Sequence, residues 1–196
     1  MDDIVKAAIQ KWPNVPNCFG WLGLDARGDW YLRDADTQAA GPFPQSKGSR
    51  VNHDKLRDFI QRNYEPDAQG AWFFQNGPQR VYVALELAPL VICVRHRVGD
   101  GEAAEGASGA GIGAAAGPGF VVETHTGQPV QHVRSCWLDE QGHLYLDTEH
   151  GLGVVRSLDM DAAADAIEAV GWVPEEIAAA ELPGRFGFVL SPRQPA

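Results

Sequence analysis

Residues 72–83 read Trp-Phe-Phe-Gln-Asn-Gly-Pro-Gln-Arg-Val-Tyr-Val, an aromatic run and an aliphatic run joined through Asn76-Gly77-Pro78. Aromatic and β-branched residues suit a pleated, half-buried surface, and Asn-Gly suits a tight turn, so the stretch predicts a β-hairpin. Gln75, Asn76, Gln79 and Arg80 gather polar groups at its tip.

Asp67-Ala68-Gln69-Gly70 precedes the Trp72 strand and has Asp at the first and Gly at the fourth position of a turn. The same chemistry occurs twice more. Leu24-Asp25-x-x-Gly28-x-Trp30-Tyr31-Leu32 matches Leu138-Asp139-x-x-Gly142-x-Leu144-Tyr145-Leu146 at a constant offset of 114. These runs predict strands at 19–24, 30–32, 133–138 and 143–147, with further strands at 80–86, 90–95, 120–123, 152–156 and 186–190. Helical spacing of apolar residues predicts helices over 2–12, over 52–63 with Leu56, Phe59 and Ile60 inward, and over 159–170. Pro174 at a first helical position predicts one more, through Ala180. Residues 34–50 are polar and rich in Gly and Pro, and are read as a surface loop.

The fold class implied is α+β with two lobes, each an antiparallel sheet of hairpins carrying a packed helix, related as a structural repeat. Residues 1–98 form the N-terminal lobe, 99–119 a Gly/Ala-rich linker, and 120–196 the C-terminal lobe. Charge follows the same division. Residues 1–98 hold 12 Lys/Arg against 11 Asp/Glu, and residues 99–196 hold 4 against 15.

The formal charge of -10 disfavours nonspecific binding to nucleic acid or to anionic lipid, both of which need a surplus of Lys and Arg. The start of the chain has no basic and apolar leader pattern, and residues 106–122 lack the large side chains a membrane span needs, so a cytoplasmic location is expected. Cys18, Cys93 and Cys136 are odd in number and far apart, which argues against a disulfide framework or a zinc knuckle.

The strong catalytic and nucleotide motifs are missing. Gly109 to Gly113 is glycine-rich but lacks the strand and helix that a phosphate cradle requires. No catalytic residue, metal ligand or cofactor is assigned. His125, His132 and His143, with Glu123 and Asp147, leave open a carboxylate and imidazole cluster on the acidic lobe, against surface histidines on loops. Cys18 with His53, or Cys136 with His125 or His132, leaves open a thiolate and imidazole pair, against buried core cysteines.

Arg62, Asn63, Tyr64, Gln75, Asn76 and Arg80 are the candidate ligand-binding residues, because they combine fork-shaped donors with amphipathic rings. The competing reading of Arg80 is that it packs on an aromatic ring or pairs with an acid.

Trp12-Pro13-Asn14-Val15-Pro16, Gly20-Trp21-Leu22-x-Leu24-Asp25-x-x-Gly28-x-Trp30, Phe59-Ile60-x-Arg62-Asn63-Tyr64 and Phe74-Gln75-Asn76-Gly77-Pro78-Gln79-Arg80-Val81-Tyr82-Val83 resemble the landmarks of a proteobacterial domain-of-unknown-function family. The resemblance covers residues 1–90 well and the rest loosely. It implies a bacterial cytosolic protein and brings no activity with it. The leading functional reading is a non-enzymatic module, regulatory in character, that binds a small ligand or a protein and neither nucleic acid nor membrane. The alternative is a small cysteine/histidine-dependent hydrolase or transferase.

Overall fold

The computed structural model describes residues 2–97 and 119–194. The predicted linker lies, but for Gly119, outside the described residues. The fold is α+β, with two six-stranded sheets in two units, Met1–Pro89 with Pro183–Ala196 and Leu90–Leu182.

The first unit opens with α1 (Asp3–Lys11), whose inward residue is Val5. Then come β1 (Cys18–Leu24), β2 (Trp30–Leu32), α2 (Ala35–Ala40), β3 (Ser49–Arg50), α3 (Asp54–Arg62), β4 (Tyr64–Pro66), β5 (Trp72–Asn76) and β6 (Gln79–Leu85). The spatial order is β3-β2-β1-β6-β5-β4. The β5–β6 hairpin forms as its sequence predicts, with Phe74 opposite Val81 and Asn76 opposite Gln79. Three short elements, α2, β3 and β4, escape the sequence reading. The region read as a loop contains α2, started by Asp34, whose side chain accepts from the Thr37 amide. Tyr64–Pro66 pairs with β5 as an edge strand, a position that tolerates proline.

The second unit contains β7 (Leu90–His96), β8 (Phe120–Thr124), β9 (Val133–Leu138), β10 (Leu144–Thr148), β11 (Gly151–Val155), a 3₁₀ turn at Ser157–Asp159, α4 (Met160–Val170) and β12 (Glu175–Glu176). The order is β12-β9-β10-β11-β7-β8. A 3₁₀ turn at Ala179–Glu181 leads into α5 (Leu182–Phe186).

Four expectations are corrected. The sheets are mixed, because β1 lies parallel to β6, β11 to β7 and β12 to β9. The strand expected at 90–95 as the last of the first lobe is β7, which belongs to the second sheet, where it pairs with β8 and β11. The helix expected from Pro174 is instead a short strand beside β9, with the Ile177 amide bonded to the Leu138 carbonyl at 3.0 Å. Docking a buried Ile177 on the sheet outweighs the weak helix preference of so short a segment. In place of the final strand expected at 186–190 are the last residue of α5 and the irregular chain that follows it. It is held by bonds from the Val189 amide to Gly70 and from the Leu85 amide to Leu190.

The three Asp-x-x-Gly hairpins share one geometry. In each, an Asp Oδ1 accepts the amides two and four residues on. Asp25 takes Arg27 and Asp29, Asp67 takes Gln69 and Ala71, and Asp139 takes Gln141 and His143, all at 2.8–2.9 Å. The fourth residue has a positive φ, 86° at Gly28, 80° at Gly70 and 82° at Gly142, which glycine adopts without steric cost. The matching hairpins nevertheless sit differently in their sheets. β2 is flanked by the edge strand β3, whereas β10 is paired inward with β11.

Candidate functional site

Directly paired residues on neighbouring strands share a sheet face. Cys18 and Phe74 both pair with Val81, and Leu22 pairs with Leu32 and Val83, so these residues line one face of the first sheet. Against it lies α3, whose Leu56, Phe59, Ile60 and Asn63 recur at helical spacing. Phe59 meets Phe74 edge-on at 5.4 Å, and Ile60 is fully buried. Trp30 meets Tyr64 edge-on at 5.0 Å and helps close the face where β2 and β4 begin.

A helix is about 10 Å across and strands stand about 4.8 Å apart, so one helix covers roughly two strands. Because α3 packs on β5, part of the face toward β1 and β2 is left open. There lies a groove of about 450 Å³ lined by Cys18, Trp21, Leu32, Leu56, Ile60, Phe74 and Val81, with Arg33, Asp34, Asn76 and Gln79 among its polar residues. Trp21 is 49% exposed and Leu32 is 48% exposed.

Three loops hold this groove in shape. The Gln79 side chain donates from Nε2 to the Pro16 carbonyl at 3.0 Å, tying the proline-rich connector to the hairpin tip. His53 accepts the Leu56 amide at the start of α3. Arg33, 5% exposed, gathers three backbone carbonyls, donating from Nε to Ser46 at 2.9 Å, from Nη1 to Gly20 at 3.2 Å and from Nη2 to Gly41 at 2.6 Å. On the opposite side of the 34–50 segment, Lys47 bridges Asp25 and Glu86 at 3.1 and 2.8 Å and stands over the Tyr31 ring.

The structure scatters the six residues singled out from sequence. Asn63 is buried and fully used, accepting the Asp2 amide at 2.8 Å and donating to the Phe59 carbonyl at 2.9 Å and to Asp2 Oδ2 at 3.3 Å. Tyr64 is buried and donates its phenol to the Pro89 carbonyl; burial pushes that phenol well above its ordinary range. Gln75 is 2% exposed and folds back onto the Gly77 carbonyl at 2.8 Å, so it belongs to the turn and not to its surface. Arg62 is exposed beside Asp2 at 3.5 Å. Arg80 stands over the Phe73 ring at 4.5 Å, which is the packing role its competing reading predicts. Asn76 alone of the six lines the groove.

Sequence reasoning missed Trp21, Leu32 and Arg33. The signal available was Trp21 beside Leu22, two adjacent large apolar residues in a strand, where alternation puts one of them away from the core.

In the second unit His125, His143 and Glu123 are bonded within the fold. His125 Nδ1 accepts the Val91 amide at 3.1 Å, and burial lowers its imidazole to about 3. That corrects its reading as a surface histidine. His143 bonds to Asp139 at 2.8 Å, and Glu123 pairs with Arg95. Among the described residues no three His, Cys, Asp or Glu side chains converge as a metal site. Burial pushes the Cys136 thiol up to about 12 and raises Cys93 as well, so neither supplies a thiolate near neutral pH.

The family model DUF2944, described as "Protein of unknown function (DUF2946)", matches residues 1–193. A DUF1285 family protein from Silicibacter pomeroyi DSS-3 is similar in structure, with 12% identity over 84% of this chain and 84% of that one and a TM-score of 0.48. A DUF1285 family protein from Shewanella baltica OS155 is 16% identical over 75% of this chain and 92% of its own, with a TM-score of 0.45. No curated protein matches.

Proposed function

The chain belongs to the DUF2944 family of proteins of unknown function, and from that premise we propose that it is a non-enzymatic binding module whose groove between α3 and β1–β2 takes a small apolar ligand. One observation carries the reading. Trp21 and Leu32, each about half exposed, border a groove of about 450 Å³ whose other walls are mostly apolar. That volume lies in the range of small-molecule sites, which join apolar walls to a few placed polar groups. Asn76 and Gln79 are such groups here.

Large exposed apolar side chains around a concavity favour a ligand that removes them from water, at roughly 25 cal/mol for each Å² covered. The thiol and imidazole alternative has less support. Cys93 and Cys136 are held protonated by burial, and His53 is occupied with capping α3. A bacterial cytosolic setting fits three cysteines present as free thiols.

The test is titration with the neutral dye Nile red. Wild-type protein should give a saturable rise in dye fluorescence, and Val81→Trp, which fills the groove, should abolish it while leaving the circular dichroism spectrum intact. An unchanged titration in the folded variant would show that the dye does not bind in the groove.

A further inference from the structure

The register of the β5–β6 hairpin puts two carboxamides on the groove face. Phe74 pairs directly with Val81, and Asn76 pairs with Gln79. Side chains alternate along a strand and paired residues share a face, so Asn76 and Gln79 lie on the same side as Phe74 and Val81. All four border the groove. Its hairpin end is therefore polar and uncharged, while Trp21, Leu32 and Ile60 make its other walls apolar. Gln79 gives Nε2 to the Pro16 carbonyl at 3.0 Å, which leaves Oε1 as an acceptor. Asn76 is exposed, and among the described residues its side chain bonds to no other group, so its donor and its acceptor are both open. The nearby charges do not suit an anion. Arg33 turns its N–H groups to the Gly20, Gly41 and Ser46 carbonyls, and Asp34 adds a negative charge to the lining.

We propose that the groove takes a neutral apolar molecule headed by a primary amide, with its hydrocarbon against Trp21, Leu32 and Val81 and its amide on Asn76 and Gln79. The inference rests on the groove being a ligand site, and adds the chemical class of the ligand. A carboxamide carries an acceptor and a donor side by side. Asn76 can therefore donate from Nδ2 to the ligand carbonyl and accept a ligand N–H at Oδ1, two parallel bonds of the kind asparagine makes with the edge of adenine. The second N–H of a primary amide is left for Gln79 Oε1. An ester of the same length keeps the carbonyl but has no N–H, so both acceptors go unmatched. A carboxylate also lacks donors, and it must leave water beside Asp34 while Arg33 is committed elsewhere. A groove with nothing polar to offer would instead prefer the ester, because an amide loses more bonds to water. The order of affinities therefore reports directly on the two carboxamides.

The experiment is calorimetric titration of the full chain at pH 7.5 with octanamide, methyl octanoate and octanoate, each below its solubility limit. Octanamide should bind at least about tenfold more tightly than the ester, the gain expected of two added hydrogen bonds, and octanoate should bind most weakly. Equal or tighter binding of the ester or of octanoate overturns the amide assignment and leaves the groove as an apolar site. Binding of none of the three overturns the assignment alone if Nile red still binds, and the groove reading with it if Nile red does not. Asn76→Ala should cut the preference for amide over ester at least about threefold. An unchanged preference in that variant overturns the assignment, and so does octanamide binding retained by Val81→Trp, which would place the site elsewhere. Should either variant not fold, the order of the three compounds on wild-type protein decides alone.

Discussion

Tyr145 donates its phenol hydrogen to Asp139 Oδ2 at 2.9 Å, across a turn six residues long at the head of the β9–β10 hairpin. The same oxygen bonds to His143 Nδ1 at 2.8 Å, and Oδ1 accepts the amides of Gln141 and His143. Burial on its own would raise this carboxyl. The His143 amide and imidazole, the Tyr145 phenol and the Gln141 amide outweigh burial and hold it below the usual carboxylate range.

A group whose folded pKa is depressed contributes stability above its unfolded pKa, and that stability is lost as pH falls through the folded value. Asp139→Asn should therefore cost about 1–3 kcal/mol near neutrality, where a buried acceptor of several bonds is weakened. The deficit relative to wild type should shrink once pH drops below about 4, the ordinary range of an aspartate. Urea unfolding at pH 7 and at pH 3 measures both; a deficit independent of pH would show that the charge contributes nothing.

Gly70 and Gly142 occupy the same turn position with nearly the same φ, 80° and 82°, but in different surroundings. A Cβ on Gly142 would meet nothing within 4 Å, whereas one on Gly70 would collide with the Gly187 carbonyl. Gly142→Ala should cost about 1 kcal/mol from backbone strain alone. Gly70→Ala should cost clearly more, because the backbone bond from the Val189 amide to Gly70 must also shift. Chemical denaturation of the two variants side by side reads the difference.

Arg33 clamps β1 and the 34–50 segment through Gly20, Gly41 and Ser46. Lysine keeps the charge but cannot span three divergent carbonyls, so Arg33→Lys should destabilise the first unit by about 2–3 kcal/mol. Amide exchange at Gly41 to Gly48 should accelerate more than exchange in α3. Uniform acceleration would point to a global effect instead.

Cys18 lines the groove and is partly exposed, while Cys93 and Cys136 are buried with raised thiol pKa values. Native protein at pH 8 should label with a disulfide reagent first at Cys18, with the other two at least about tenfold slower, since thiolate fraction and access both limit the rate. Nile red at saturating concentration should slow Cys18 alone, since Cys18 lines the groove. Rapid labelling of Cys136 would revive the thiol and imidazole reading.

The turns and the principal helices were legible because their determinants are local. Each Asp-x-x-Gly aspartate bonds to amides two and four positions further on, so the pattern is complete within five residues. The spacing of Leu56, Phe59 and Ile60 likewise defines the inward side of α3, and the Trp72 to Val83 hairpin closes as its composition dictates. What the chain by itself did not decide was lateral placement. That Leu90–His96 joins the second sheet, and that Glu175–Glu176 lies beside β9, depends on backbone pairing between distant segments, and every strand offers the same donors and acceptors to any neighbour. The groove has the same origin. Asn63, Tyr64 and Gln75 look available in sequence but are consumed by partners up to 61 residues away. Arg33 gives no local sign that it gathers carbonyls 8 to 13 positions distant, and only the packed tertiary structure brings Trp21 and Leu32 to one concavity.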